Sequence, residues 1–223
     1  MVRELNSGRR GVPKGKASQV VIFVHGYGAD GNDLLGLAEV LAPYLPGTAF
    51  YSPDAPERCP GNPMGYQWFP IPWLDGSSEA AAREGMATAV EDLNAFIDRV
   101  LLQEGLAPDR LILFGFSQGC MMCLQIAPRR DQVVAGVVGI SGRLIEPDKL
   151  AAEVRVKPPV LLMHGDRDDV VPFPALKEAA DALVAAGIDT YVHVMEGTGH
   201  GIAPDGLGQA AAFIRARLGI EGR

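Results

Sequence analysis

Three cysteines in 223 residues, Cys59, Cys120 and Cys123, are an odd number and too few for a disulfide scaffold, which agrees with a reducing compartment. No run approaches the roughly 18 to 20 apolar residues of a membrane-spanning helix. The longest, residues 20–24 and 133–140, are of strand length. Basic side chains are outnumbered, 20 against 27 acidic ones, and the formal charge of −7 argues against a nucleic-acid grip that depends on a pervasive positive field. Arg3, Arg9, Arg10, Lys14 and Lys16 crowd the start, but no apolar segment of about 7 to 15 residues with a small-residue cleavage site follows them. The expected location is therefore cytoplasmic, without stable membrane insertion. No internal repeat or low-complexity tract occurs.

The remaining balance, 48% hydrophobic and 21% charged, is that of an ordinary globular chain whose length fits one domain. Residues 1–18 mix Gly, Pro, Ser and basic side chains without periodicity and read as a loosely structured or edge-packed lead-in. Residues 19–219 read as a single domain, and residues 220–223 as a protease-site remnant to be set aside. Short, mostly β-branched runs at 20–24, 111–114, 133–140 and 160–163, with weaker ones at 49–52 and 190–195, predict strands buried on both faces. Helical patterns at 34–45, 79–104, 118–127, 174–186 and 206–218 lie between them. The second is the clearest, with Met86, Val90, Leu93, Ile97, Val100 and Leu101 near a period of 3.6. Strand and helix thus alternate, which predicts an α/β fold with a mostly parallel sheet and helices on both faces. The irregular stretch 53–78 collects Met64, Trp68, Phe69, Trp73 and Leu74 in a chain with only 7% aromatics. These make it a candidate apolar wall for an acyl group, with Met64, Trp68, Phe69 and Trp73 as substrate-binding residues.

Gly115-Phe116-Ser117-Gln118-Gly119 follows one predicted strand directly and opens a predicted helix, the setting of a nucleophile elbow. The sharp turn strains Ser117, and glycines two residues to either side remove side chains that would clash. A serine hydroxyl needs a base, and on such a fold the chain order is Ser, acid, His. His200, in the loop after the last strand, fits better than His193, which lies within that strand. The acid belongs to the loop containing Asp166, Asp168 and Asp169, and spacing alone does not choose among them. Backbone N–H groups of Gln118 and Tyr27 are the candidate oxyanion donors, Tyr27 lying in the loop His25-Gly26-Tyr27-Gly28 after the first core strand. His25 precedes the serine and is expected to stabilise that loop. Cys120 and Cys123 form a Cys-x-x-Cys pair, but Ser117 occupies the helix start that a redox cysteine would need, and further zinc ligands at matching spacing are missing. Core-facing thiols are the expectation.

Assembled, these segments resemble the phospholipase/carboxylesterase family of α/β-hydrolases, which includes acyl-protein thioesterases and small bacterial carboxylesterases. The likeness spans about residues 20 to 218. Its carriers are the run from Val24-His25-Gly26-Tyr27-Gly28 to Asp33-Leu34, then Pro53-Asp54-Ala55-Pro56, Gln67-Trp68-Phe69, the elbow, His164-Gly165-Asp166-Arg167-Asp168 through Val171-Pro172, and Gly199-His200. The resemblance implies that Asp168 is the acid and supports Ser117, His200 and the donors Tyr27 and Gln118. It implies hydrolysis of short to medium acyl esters or thioesters with no metal or organic cofactor, a small acyl ester as partner, and frequently a homodimer. A lysophospholipase or thioesterase on longer chains is the neighbouring alternative, and a non-catalytic receptor or interaction scaffold the alternative of another class. Two departures bear on packing and pocket shape: Cys120-Met121-Met122-Cys123 stands where relatives carry glycine and small residues, and Ile71-Pro72-Trp73 lacks the acidic residue that often follows Trp-Phe.

Overall fold

Each inner strand sends side chains alternately to two apolar layers, and this alternation fixes where the helices go. Val20, Ile22 and Val24 enter one core while Val21 and Phe23 enter the other; Leu111 and Leu113 part from Ile112 and Phe114 in the same way. The computed structural model describes residues 2–220; of the expected terminal remnant, 221–223 lie outside the described residues. The strands are β1 (Ser7–Gly11), β2 (Gln19–Val24), β3 (Thr48–Pro53), β4 (Glu57–Cys59), β5 (Asn62–Gln67), β6 (Leu111–Phe116), β7 (Gly136–Ile140), β8 (Val160–Gly165) and β9 (Thr190–Met195). Seven form one sheet in the order β1-β3-β2-β6-β7-β8-β9, parallel throughout except for β1 against β3.

The helices are α1 (Gly31–Leu35), α2 (Leu37–Leu41), α3 (Pro72–Asp75), α4 (Glu79–Glu104), α5 (Gln118–Ile126), α6 (Pro147–Glu153), α7 (Pro174–Ala185) and α8 (Pro204–Leu218). Apolar residues of α4, α5, α6 and α7 join one core; those of α1, α2 and α8 join the other. Both faces of the sheet are therefore covered, as parallel strands require. In α4, Ser78 caps the start by accepting from Ala81 N–H, and Gly105 at φ 68° closes the end. The single helix expected over 34–45 is instead α1 and α2, divided at Gly36, whose low helix propensity lets the chain bend there.

The lead-in is edge-packed. It carries β1, whose partly exposed residues offer no apolar alternation and are held by backbone pairing and by charge. Arg9 pairs with buried Glu104 at 2.8 Å, and Glu104 also accepts from Tyr51 Oη and Gly15 N–H. Burial alone would raise the Glu104 carboxyl, but these donors outweigh it and hold the group below its ordinary range. The stretch 53–78 contains the antiparallel hairpin β4-β5 and then α3. Tyr66 exchanges backbone hydrogen bonds with the β2–α1 loop, accepting from Gly28 N–H at 2.9 Å and donating to Ala29 C=O at 2.8 Å.

The carboxyl ends of β2, β6, β8 and β9 all lie along one rim of the sheet, where ligands of open parallel sheets bind. There α5 is driven hard against β2: a methyl group at Gly119 would collide with the backbone oxygens of Val24 and His25. Gly119→Ala should therefore lose about 3 kcal/mol of stability or more. Gly208→Ala, at an open position on α8, should gain up to about 1 kcal/mol. Urea unfolding of the two variants beside the parent checks both signs.

Candidate active site

Ser117 joins β6 to α5 with φ 54° and ψ −118°, a backbone conformation that non-glycine residues avoid. Its N–H donates to Ile140 C=O at 2.8 Å, and its C=O accepts from Met121 N–H at 3.2 Å as the first turn of α5 forms. The strained turn lifts the hydroxyl above the sheet rim. His200 reaches it from the loop after β9: Nε2 lies 3.0 Å from Ser117 Oγ, while Nδ1 lies 2.8 Å from Asp168 Oδ2. The Phe116 ring packs beside the imidazole, with centroids 4.9 Å apart. With Nδ1–H donated to the carboxylate, Nε2 is left to accept from the serine.

Asp168 stands in the loop after β8, buried and surrounded by donors. Its Oδ1 accepts from the N–H groups of Val170 and Val171, both at 2.9 Å, and His164 Nε2 approaches Oδ2 at 3.2 Å. Burial would raise this carboxyl, but the hydrogen bonds from His200, Val171 and Val170 prevail and hold it below its ordinary 3.8. The other two aspartates do different work. Asp166 accepts from Gly197 N–H at 2.6 Å and so ties the His200 loop to β8, while Asp169 is exposed. His193 pairs with Asp205 on α8 at 2.7 Å rather than with the serine.

The loop after β2 touches the elbow at Gly26, where an added Cβ would sit 3.2 Å from Ser117 Cβ. Among the described residues neither Tyr27 N–H nor Gln118 N–H donates to an acceptor. His25 anchors the loop from within. It is fully buried, its Nδ1 meets Gly26 C=O at 2.7 Å, and Nε2 accepts from Ala55 N–H at 3.0 Å. Burial lowers its pKa, so the ring is held neutral, with Nδ1–H as donor.

One observation places the whole assembly: the sequence profile of the Phospholipase/Carboxylesterase family matches residues 11–218. The chain belongs to the phospholipase/carboxylesterase family. Its fold is the α/β-hydrolase fold, and by family it is a carboxylic ester hydrolase. It is 29% identical to an acyl-protein thioesterase 1 of Gibberella zeae, over 89% of this chain and 90% of the relative. It is 27% identical to esterase YpfH of Escherichia coli, over 85% and 79%. The crystal structure of esterase PE8 superposes with a TM-score of 0.90 at 42% identity, covering 96% of this chain and 99% of that one.

Beside the elbow of this family member lies a cleft of about 200 Å³. Phe69, Ile71, Met86, Met121 and Ile145 give it apolar walls, and at its rim the Arg143 guanidinium sits 5.5 Å from the centre of the Trp73 ring. Of the four residues expected to bind substrate, Phe69 and Trp73 line this cleft, whereas Trp68 and Met64 do not. Trp68 is fully buried, its indole N–H donating to His25 C=O at 3.0 Å, so it supports the loop from behind. Met64 is 80% exposed on β5, outside the cleft. Trp68 and Phe69 both follow the end of β5, where Trp68 turns inward and Phe69 turns to the cleft. Met121 escaped the sequence reading although its place one helical turn after Ser117 points to the same rim; Arg143 carried no local signal. Cys120 and Cys123 are buried in α5, and burial pushes the Cys120 thiol up to about 12 and Cys123 well above its ordinary range. They are protonated packing groups. No helix among the described residues is long and apolar enough to cross a membrane.

A depressed carboxylate contributes stability above its unfolded pKa and loses it as pH falls through the folded value. Wild type should therefore exceed Asp168→Asn by about 1–3 kcal/mol near neutrality. The gap should close as the pH drops below about 4. Urea unfolding across that range measures it.

Proposed function

We propose that the chain is a serine carboxylesterase that hydrolyses short to medium acyl esters through an acyl-enzyme. The observation that carries this reading is the continuous hydrogen-bonded chain from Asp168 through His200 to Ser117. Ser117 Oγ attacks the ester carbonyl carbon as its proton passes to His200 Nε2. Asp168, ionised and accepting from Nδ1–H, stabilises the imidazolium that results. Collapse of the tetrahedral intermediate breaks the C–O bond, and His200 returns the proton to the leaving alkoxide. Water then attacks the acyl-enzyme with His200 again as base, releasing the acid and restoring the serine. The Tyr27 and Gln118 N–H groups, uncommitted elsewhere, are the donors assigned to the oxyanion.

The cleft supports the choice of acyl group. Its mostly apolar walls favour a hydrocarbon chain, and about 200 Å³ is small beside pockets that take drug-sized ligands, about 300–1,000 Å³. The relatives named acyl-protein thioesterase bring in thioesters as the competing substrate class for the same machinery. Three free thiols support a cytoplasmic location.

Purified protein should hydrolyse p-nitrophenyl acetate and butyrate and be labelled by a fluorophosphonate. Ser117→Ala should stay folded and lose at least about a thousandfold in turnover. Asp168→Asn should lose a comparable factor, and Asp166→Asn and Asp169→Asn far less. Undiminished turnover in Ser117→Ala would end the reading; a larger loss in Asp166→Asn than in Asp168→Asn would reassign the acid. Across esters and thioesters from acetyl to palmitoyl, kcat/KM should rise by up to about fourfold per buried methylene, then level off once the cleft is full. A continued rise to palmitoyl would favour the lysophospholipase or thioesterase alternative.

A further inference from the structure

In the mechanism above Gln118 acts only through its backbone, yet its side chain is 1% exposed and both ends of its amide are engaged. Oε1 accepts from Trp68 N–H at 2.8 Å, and Nε2 donates to Phe69 C=O at 2.7 Å. These two bonds hold a segment fifty residues away in sequence against the residue that follows the nucleophile. Phe69 is a wall of the cleft. Trp68 leads the other way: its indole N–H donates to His25 C=O, and its ring lies 5.5 Å from the His25 ring, at the root of the loop that bears Tyr27.

We propose that the Gln118 side chain is a positioning residue, clamping the Trp68-Phe69 segment so that the acyl wall and the Tyr27 loop are set by one neutral amide. The proposal rests on the reading of Ser117 as nucleophile. Its chemical requirement is specific, because the group must accept at one end and donate at the other in a buried place. An ionised carboxylate accepts at both ends and would face the Phe69 carbonyl oxygen. A protonated carboxylic acid regains the donor.

Gln118→Glu therefore turns the clamp into one governed by a proton. Burial and the facing carbonyl raise the new carboxyl above the ordinary range. The readout is kcat/KM of the variant divided by that of wild type, for p-nitrophenyl acetate and hexanoate, from about pH 8.5 down to about pH 6. Dividing by wild type removes the pH effects that the two proteins share, and His25 is held neutral by burial. Near pH 8.5 the ratio should fall about tenfold for hexanoate and less for acetate. It should recover at least about threefold towards pH 6. A ratio within twofold of unity, or a loss equal for both esters and flat in pH, overturns the clamp.

Should Gln118→Glu fail to fold, Trp68→Phe decides, since it keeps the backbone bond to Gln118 and removes the indole donor to His25 C=O together with part of the buried ring. The clamp predicts about a tenfold lower kcat with KM little changed; wild-type kcat overturns it. Ser117→Ala in the same series separates the two readings. If it is inactive while the Gln118 variant equals wild type, the clamp alone fails; if it stays active, the nucleophile assignment fails first.

Discussion

The imidazole of His200 lies between an alcohol and a carboxylate, and much of the molecule serves to keep it there. A neutral histidine has one donor and one acceptor nitrogen, so the bond that Nδ1 makes to Asp168 decides that Nε2 faces Ser117 as an acceptor. The three groups arrive from loops after β6, β8 and β9, two of which are neighbours in the sheet. Each loop is tied by its own backbone bonds: Ser117 N–H to β7, Arg167 N–H to Thr198 C=O, and Gly197 N–H to the Asp166 side chain. Rigid strands supply the distances, and these short ties remove the remaining slack.

An arrangement of this kind concentrates cost at the rim, and the surrounding packing offsets it. Ser117 at positive φ stores on the order of 1–3 kcal/mol of strain. Asp168 buries a charge that would be intolerable without its ring of donors. The compensation lies just beneath, where the α5 side chains Cys120, Met121, Met122, Cys123 and Leu124 are all buried against the sheet. Cys120 packs so closely on β7 that a methyl group at Gly139 would come within 2.8 Å of its Sγ. The thiols in this helix are thus read best as filling atoms, and burial keeps them protonated.

What was legible in the sequence follows the same physics. Runs such as residues 20–24 and 160–163 are buried on both faces and announce themselves by composition, and the elbow by its glycines between a strand and a helix. Edge features did not. Strand β1 is held by Arg9, Glu104 and backbone pairing, none of which leaves an apolar period, and β5 carries Pro63 and Gly65, which read as loop. Spacing left three aspartates open and the family resemblance pointed to Asp168; in the fold only its carboxylate meets both His200 and the Val170 and Val171 amides. Trp68 was misread because a large apolar side chain near a cleft can support it from behind as readily as line it, and only burial separates the two.

The cleft and the hydrogen-bonded chain of Asp168, His200 and Ser117 are drawn from different segments, and on the proposed reading this separation bears on how acyl preference can change. Phe69, Ile71 and Trp73 come from the segment between β5 and α4, Met86 from α4 itself, and Arg143 and Ile145 from the turn after β7. None of these segments carries Ser117, Asp168 or His200. Substitution there alters volume and polarity at the wall while leaving the hydrogen-bonded chain in place. Met121 and Gln118 are different, because they belong to the first turn of the elbow helix and touch the cleft wall and Ser117 at once. A change at either reaches both ends of the site, so variation in chain-length preference is expected to accumulate in residues 69–86 and 143–146 before it touches the elbow.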